Sequence, residues 1–226
     1  MSREKHSLRE IKHARTKIAI MKALVAAMEK ARYDDISIKR ICRDAEISEG
    51  TFFNYFPEKI DIVHFFIHTL LLKAIWQAQR FVPERHKLLL VEAVMENLAG
   101  SIPNANIIYQ LIAAMINRRE LPRKGTVTAL ERDLLYPGCE GIEEIEMTDI
   151  ESFFVECLKE AVKNGELPKS ADLEDAAVSL MTILTGTLLA TKFSDNDNGN
   201  IVYHFKRQLR ILWRGIGALM KRGCNE

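Results

Sequence analysis

Hydroxyl, amide and cationic side chains crowd the stretch SIKRICRDAEISEGTFFNYFPEKIDIV, residues 37 to 63. Within it Ile41, Ala45 and Ile47 supply a small apolar core, and Ser48 offers a hydroxyl cap to a short segment whose outward side chains stay free. Two helices crossing at so tight a turn let one of them enter a DNA major groove, while polar groups at the helix ends grip phosphates. Catalysis has no comparable signal: the chain lacks a GxSxG elbow, a Walker loop, an HExxH pair and a Gly-rich dinucleotide fingerprint. His64 and His68 stand one helical turn apart, as metal ligands can, but no third ligand accompanies them and a helix-surface pair explains them equally. Cys42, Cys139, Cys157 and Cys224 are scattered and form no CxxC pair, so neither a zinc site nor a disulfide framework is expected, and no cofactor is implied.

The elements that must position this stretch read as helices throughout. Ile11, Ala14, Ile18, Met21, Val25 and Met28 recur at steps of three and four, the mark of an amphipathic helix. The pattern breaks at Tyr33-Asp34-Asp35, and Ser37 then caps a helix of about two turns. A second short helix runs from Glu49 to Tyr55, and Pro57 is placed at the first position of a long helix reaching about Phe81. At that length it could carry motion from head to body. Further helices are expected over roughly Glu84 to Ala99, Asn104 to Arg118 and Thr126 to Leu135, the last followed by a loop.

Thr148 and Glu151 have capping-box spacing and open a helix that Asn164-Gly165 ends. Residues 172–193 and 201–222 form two more, and the first of these is apolar on more than one side. Such faces need two burial partners, and pairing across a two-fold axis would supply the second. No strand and no repeat is evident, so the expected class is all-α.

Charge separates the two ends. Residues 1 to 60 hold 13 Lys and Arg against 9 Asp and Glu, and the rest hold 19 against 22, so a net of +1 conceals a basic head on a mildly acidic body. A basic head suits a polyanion. The polar opening has no signal-peptide h-region and no run of about 18 apolar residues occurs, which suggests a cytoplasmic protein without membrane contact.

The same stretch closely resembles the motif of TetR-family regulators: Ser37, Ile41, Ala45, Ser48, Gly50, Thr51, Tyr55, Phe56 and Lys59 stand at family positions, and Ile47 and Phe53 replace Val and Tyr. The resemblance covers about residues 10 to 63, and beyond it the chain agrees only in helix pattern and length. It implies a three-helix helix-turn-helix domain over residues 1–56 and an effector-binding, dimerising helical domain over residues 57–226. By resemblance Glu49, Gly50, Thr51 and Asn54 face bases, Ser37, Lys39, Tyr55 and Lys59 hold phosphates, and Ser48 completes the DNA-binding set. The implied partners are double-stranded operator DNA, a second copy joined through 172–193 and 201–222, and a small-molecule effector. Trp76, Tyr109, Met115 and Phe154 are candidate walls for the effector. Repression rather than activation is the family habit.

Three departures from the motif carry physical consequences. Cys42 replaces an Ala and adds only a sulfur to a packed site. Glu46 replaces the turn Gly, so a residue with a Cβ is expected to take a positive-φ conformation at some cost. Phe53 lacks the hydroxyl that the family Tyr offers a phosphate.

Overall fold

In a computed structural model the described residues are 6–101, 105–116, 127–146, 149–193 and 199–217. Among them are ten α-helices, two 3₁₀ turns and no strand. They fall into two compact units: Met1–Lys73 with Pro103–Glu146, and Ala74–Ile102 with Met147–Glu226.

The first unit begins with α1, Leu8–Met28, opened by a capping box in which Ser7 and Glu10 exchange side-chain and backbone hydrogen bonds. Its buried stripe, including Ala14, Ile18, Met21 and Leu24, is the expected one. A 3₁₀ turn at Tyr33–Asp35 leads into α2, Ile38–Asp44, and α3, Glu49–Tyr55. Helix α4 spans Lys59–Gln79. Pro57 is therefore not its first residue: the helix starts two residues later, where the Glu58 N–H donates to the Asp61 carboxylate at 2.9 Å. That carboxylate, reaching back from the third helical residue, fixes the entry and leaves Pro57 outside.

Helices α6, Ala105–Ile116, and α7, Ala129–Leu135, complete this unit and pack on α1. Gln110 of α6 joins two backbone segments: its amide donates to Met28 O at 3.1 Å and its oxygen accepts the Tyr33 N–H at 2.6 Å. Glu131 of α7 is almost fully buried, yet both its oxygens are occupied. One accepts the Thr128 N–H within a capping box, and the other meets the Lys17 ammonium at 2.9 Å. The Tyr136 hydroxyl donates to Thr69 O at 2.6 Å, and its burial pushes the phenol up to about 12. These bonds tie α7 and the residue after it to the middle of α1 and of α4.

The second unit is built from α5 (Lys87–Ser101), α8 (Ile150–Lys163), α9 (Leu173–Phe193) and α10 (Gly199–Gly215). Helix α5 packs on α8 and α10, and α9 packs on both α8 and α10. Several expected limits move. The turn before α5 is longer than expected, and Glu166 closes it by accepting the N–H groups of Lys87 and Leu88. At α8 the cap is Asp149, which accepts the Ser152 N–H at 2.7 Å, one residue after the expected Thr148, which lies outside the described residues. Helix α10 ends at Gly215 rather than near 222, because Gly217 adopts φ 78° and turns the chain out of the helix. Expected positions 102–104, 117–126, 194–198 and 218–226 lie outside the described residues.

Candidate nucleic-acid interface

The turn between α2 and α3 follows from three local choices. Ser37 caps α2 by accepting the Arg40 N–H at 3.2 Å, and Ser48 caps α3 by accepting that of Thr51 at 3.1 Å. Between them Glu46 stands at φ 56°, the positive value expected where the motif has Gly. An L-residue there costs about 1–2 kcal/mol, held by the bonds on either side, Ala45 N–H to Ile41 O and Ile47 N–H to Cys42 O, both 2.9 Å. Ile41, Cys42, Phe52 and Phe56 are buried beneath the turn, and the Phe52 and Phe56 rings meet at 6.4 Å. Two of the three motif phenylalanines are thus core, and burial and charge push the Cys42 thiol up, which keeps it inert.

What α3 leaves outside is Glu49, Gly50, Phe53 and Asn54; Phe53 is 51% exposed. Thr51 is half-buried, its hydroxyl 2.8 Å from that of Ser48. The ring of Tyr55 lies 4.5 Å from that of His13, so α1 sets the direction of the phenol. Gly50 is informative for what surrounds it. A Cβ built there meets only Ser48 Oγ at 3.9 Å, so no contact within this chain requires the glycine, although glycine in a helix costs about 0.5–1 kcal/mol relative to alanine.

Ser48, Thr51, Asn54 and Tyr55 share one wall of an open groove of about 1030 Å³. The facing wall belongs to α1 and carries Arg9, Lys12, His13 and Arg15. Sequence reading assigned no role to these four. Their signal was available, since Arg9, Lys12 and Arg15 recur every third residue near the start of a helix. Ser37 and Lys39 are exposed but do not line this groove.

Lys59 is placed differently from a free phosphate contact. Its ammonium donates to Tyr33 O at 2.7 Å and Ile36 O at 2.9 Å and sits 4.1 Å above the Tyr33 ring. Burial lowers its pKa, partly opposed by Asp34 and Asp35. Two of its three N–H donors tie the 3₁₀ turn to the start of α4, leaving one for an outside partner.

The candidate effector residues fall in both units. Trp76 is half-buried in the second unit, with the Arg80 guanidinium 4.8 Å from its ring centre, and Phe154 is wholly buried in that unit's core. Tyr109 is half-buried on α6 of the first unit, and the side chain of Met115 lies outside the described residues. His64 is buried and His68 half-buried, and among the described residues no group of three or more His, Cys, Asp or Glu could hold a metal ion.

No family model and no curated protein matches the chain. Solved structures do. Thermus thermophilus FadR, a TetR-family transcriptional repressor in complex with lauroyl-CoA, is 16% identical with a TM-score of 0.62, covering 93% of this chain and 100% of its own. A TetR-family transcriptional regulator from Cytophaga hutchinsonii is 14% identical with a TM-score of 0.59, covering 96% and 100%. The transcriptional regulator FadR from Bacillus subtilis, in complex with stearoyl-CoA, is 18% identical with a TM-score of 0.54, covering 88% and 98%. The chain has the all-helical fold of TetR-family transcription regulators.

Proposed function

We propose that the chain is a TetR-type transcriptional repressor, a cytoplasmic homodimer that binds palindromic operator DNA and is released by a small-molecule effector. The observation that carries this reading is α3 itself: capped by Ser48, it presents Glu49, Gly50, Phe53 and Asn54 outward, and its Gly50 has no reason within the chain to lack a side chain. A glycine there lets a partner's backbone approach closely. Glu49, Gly50, Thr51 and Asn54 are assigned to base edges, and Ser37, Lys39, Ser48, Tyr55 and Lys59 to the phosphate backbone. Lys59 keeps that role with its one remaining N–H. Residues 1–56 carry DNA binding, and residues 57–226 carry effector binding and dimerisation. The role is one of binding rather than catalysis.

Dimerisation rests on α9 and α10. In α9 the stretch Leu173–Ala190 is apolar enough to cross a membrane by composition, yet only 22% of it is buried within the chain. Val178, Tyr203 and Ile211 are each more than half exposed. A second copy covers these faces. The effector is small and partly apolar, and acyl-CoA thioesters, which two proteins of the same fold hold, are the first to test. Of the candidate walls, Trp76 and Phe154 of the second unit are kept as its proposed contacts, and the long α4 is proposed to pass the signal.

Selection of bound duplexes from a random pool, followed by footprinting, tests the reading. A protected palindrome is expected, and failure to enrich any duplex would remove the DNA-binding reading. On the selected site Asn54→Ala should lose about 1–3 kcal/mol while a scrambled duplex binds nearly as before. Lauroyl-CoA and the selected duplex should weaken each other by one common factor, and equal acyl-CoA affinity with and without DNA would exclude that effector class.

A further inference from the structure

We propose that the wall of α1 carrying Arg9, Lys12 and Arg15 is a second phosphate-binding surface, seating the DNA strand beside the groove that α3 reads. The inference rests on the DNA-binding reading above and adds residues that its motif does not contain.

Three observations converge. First, the three cations lie on one groove together with Ser48, Thr51, Asn54 and Tyr55, the polar residues of the recognition segment, so one occupant would meet both walls. Second, the cations are not neutralised from within. Among the described residues none of the three has an ion-pair partner, and all three are exposed. Glu10, beside Arg9 in sequence, is turned back onto Ser7, and Asp44 at the end of α2 is held by Arg40 and Arg43. Among the described residues Glu46 is the one carboxylate on the groove. Third, the spacing suits a polyanion rather than a single anion. Residues three apart on a helix rise by about 4.5 Å, so the three backbone positions span about 9 Å along the axis. A DNA strand carries one charge per about 3.4 Å along the axis, which lets each cation find its own phosphate.

The two walls then have different tasks. A guanidinium or ammonium on a flexible stem meets any phosphate and carries no sequence information, whereas Asn54 on the opposite wall is placed for a base edge. His13 belongs to neither class. Its ring lies against Tyr55, so it is a positioning residue that aims the phenol across the groove.

The test uses the full chain and two duplexes of about 30 base pairs, one recovered by selection and one scrambled, titrated at four salt concentrations. The triple variant Arg9→Gln/Lys12→Gln/Arg15→Gln removes six contacts from a bound dimer and should reduce the slope of log affinity against log salt by about five on both duplexes, with their affinity ratio unchanged. A charge-matched control, Lys159→Gln/Lys163→Gln/Lys169→Gln, should leave the slope at the wild-type value. Should the triple variant melt early, the three single variants carry the test, each removing about two units of slope, one per protomer. A wild-type slope in the groove variants overturns the proposal, as does an equal loss in the control or a changed preference between duplexes. If the wild-type chain binds neither duplex, the regulatory reading falls and this proposal with it. If it binds both and only the groove variants fail to respond, the regulatory reading stands without this surface.

Discussion

The groove between α1 and α3 and the face made by α9 and α10 are incomplete in opposite ways. Among the described residues the first leaves Arg9, Lys12 and Arg15 without an ion-pair partner, and the second leaves Val178, Tyr203 and Ile211 more than half exposed. Uncompensated cations call for a polyanion, whose binding releases counterions and weakens as salt rises. Uncovered apolar area calls for another apolar surface, whose association is driven by removal from water. On the proposed reading the same chain presents one partner surface that salt should dissolve and another that it should not.

The sharpest way to break the comparison is to charge the apolar face. Leu184→Glu with Leu212→Glu places carboxylates on half-buried positions of α9 and α10. Taken from water without partners, they cost several kcal/mol and should convert a dimer into monomer at micromolar concentration. Sedimentation at 50 mM and 500 mM salt reads the outcome, with wild type dimeric at both. A double variant that stays dimeric, or a wild type that dissociates in high salt, would count against this face.

Lys59 sharpens the other side, because it is a cation of the same region whose charge is used internally. Lys59→Ala strands the carbonyls of Tyr33 and Ile36 and should cost about 2–3 kcal/mol, a fall of roughly 5–10 °C in melting temperature. Its salt slope should drop by no more than about one unit per protomer, for the single N–H that remains. A stable variant with a strongly reduced slope would place Lys59 with the groove cations instead.

Much of this arrangement is legible in the residues. The three-four spacing of α1, the caps at Ser37 and Ser48, the limits of α3 and the positive φ of Glu46 follow from local rules, since each depends on neighbours within one or two turns. The capping box of Thr128 and Glu131 has the same local spacing and opens the short helix expected there. The internal use of Lys59 and the stacking of His13 on Tyr55 were not legible. Each joins segments more than twenty residues apart, and a lone Lys or His gives no sign of which distant group it will meet.

Glu46 offers a smaller test within the groove. Glu46→Gly removes the left-handed strain, offset in part by the freedom glycine has when unfolded, and should stabilise by about 1 kcal/mol. It also deletes the one carboxylate on the groove, so affinity for any duplex should rise modestly and more at low salt. Glu46→Asn, which tolerates the same conformation and is neutral, should share the gain in affinity. A loss of affinity in both variants would mean that this carboxylate helps to bind rather than to repel.

The smallest effect lies beside α10, where the second unit hides a carboxylate rather than displaying charge. Glu92 of α5 accepts the indole N–H of Trp213 at 2.7 Å, and Trp213 is fully buried. Burial raises the Glu92 pKa above its usual value, with the indole hydrogen bond, Lys206 and Arg210 acting against the rise and Glu96 adding to it. The folded chain therefore binds this proton more readily than the unfolded chain. The stability it contributes is complete below the unfolded value of about 4.5 and is lost as pH climbs through the raised folded value. Glu92→Gln keeps an oxygen for the indole and behaves as the protonated acid at every pH. Its melting temperature should exceed wild type by roughly 1–2 °C at pH 8, with the gap closing toward pH 5. Unlike substitutions on the groove, it should leave the salt slope of DNA binding untouched. An advantage that widened toward low pH would mean that the ionised carboxylate, paired with Lys206 or Arg210, is the form the fold prefers.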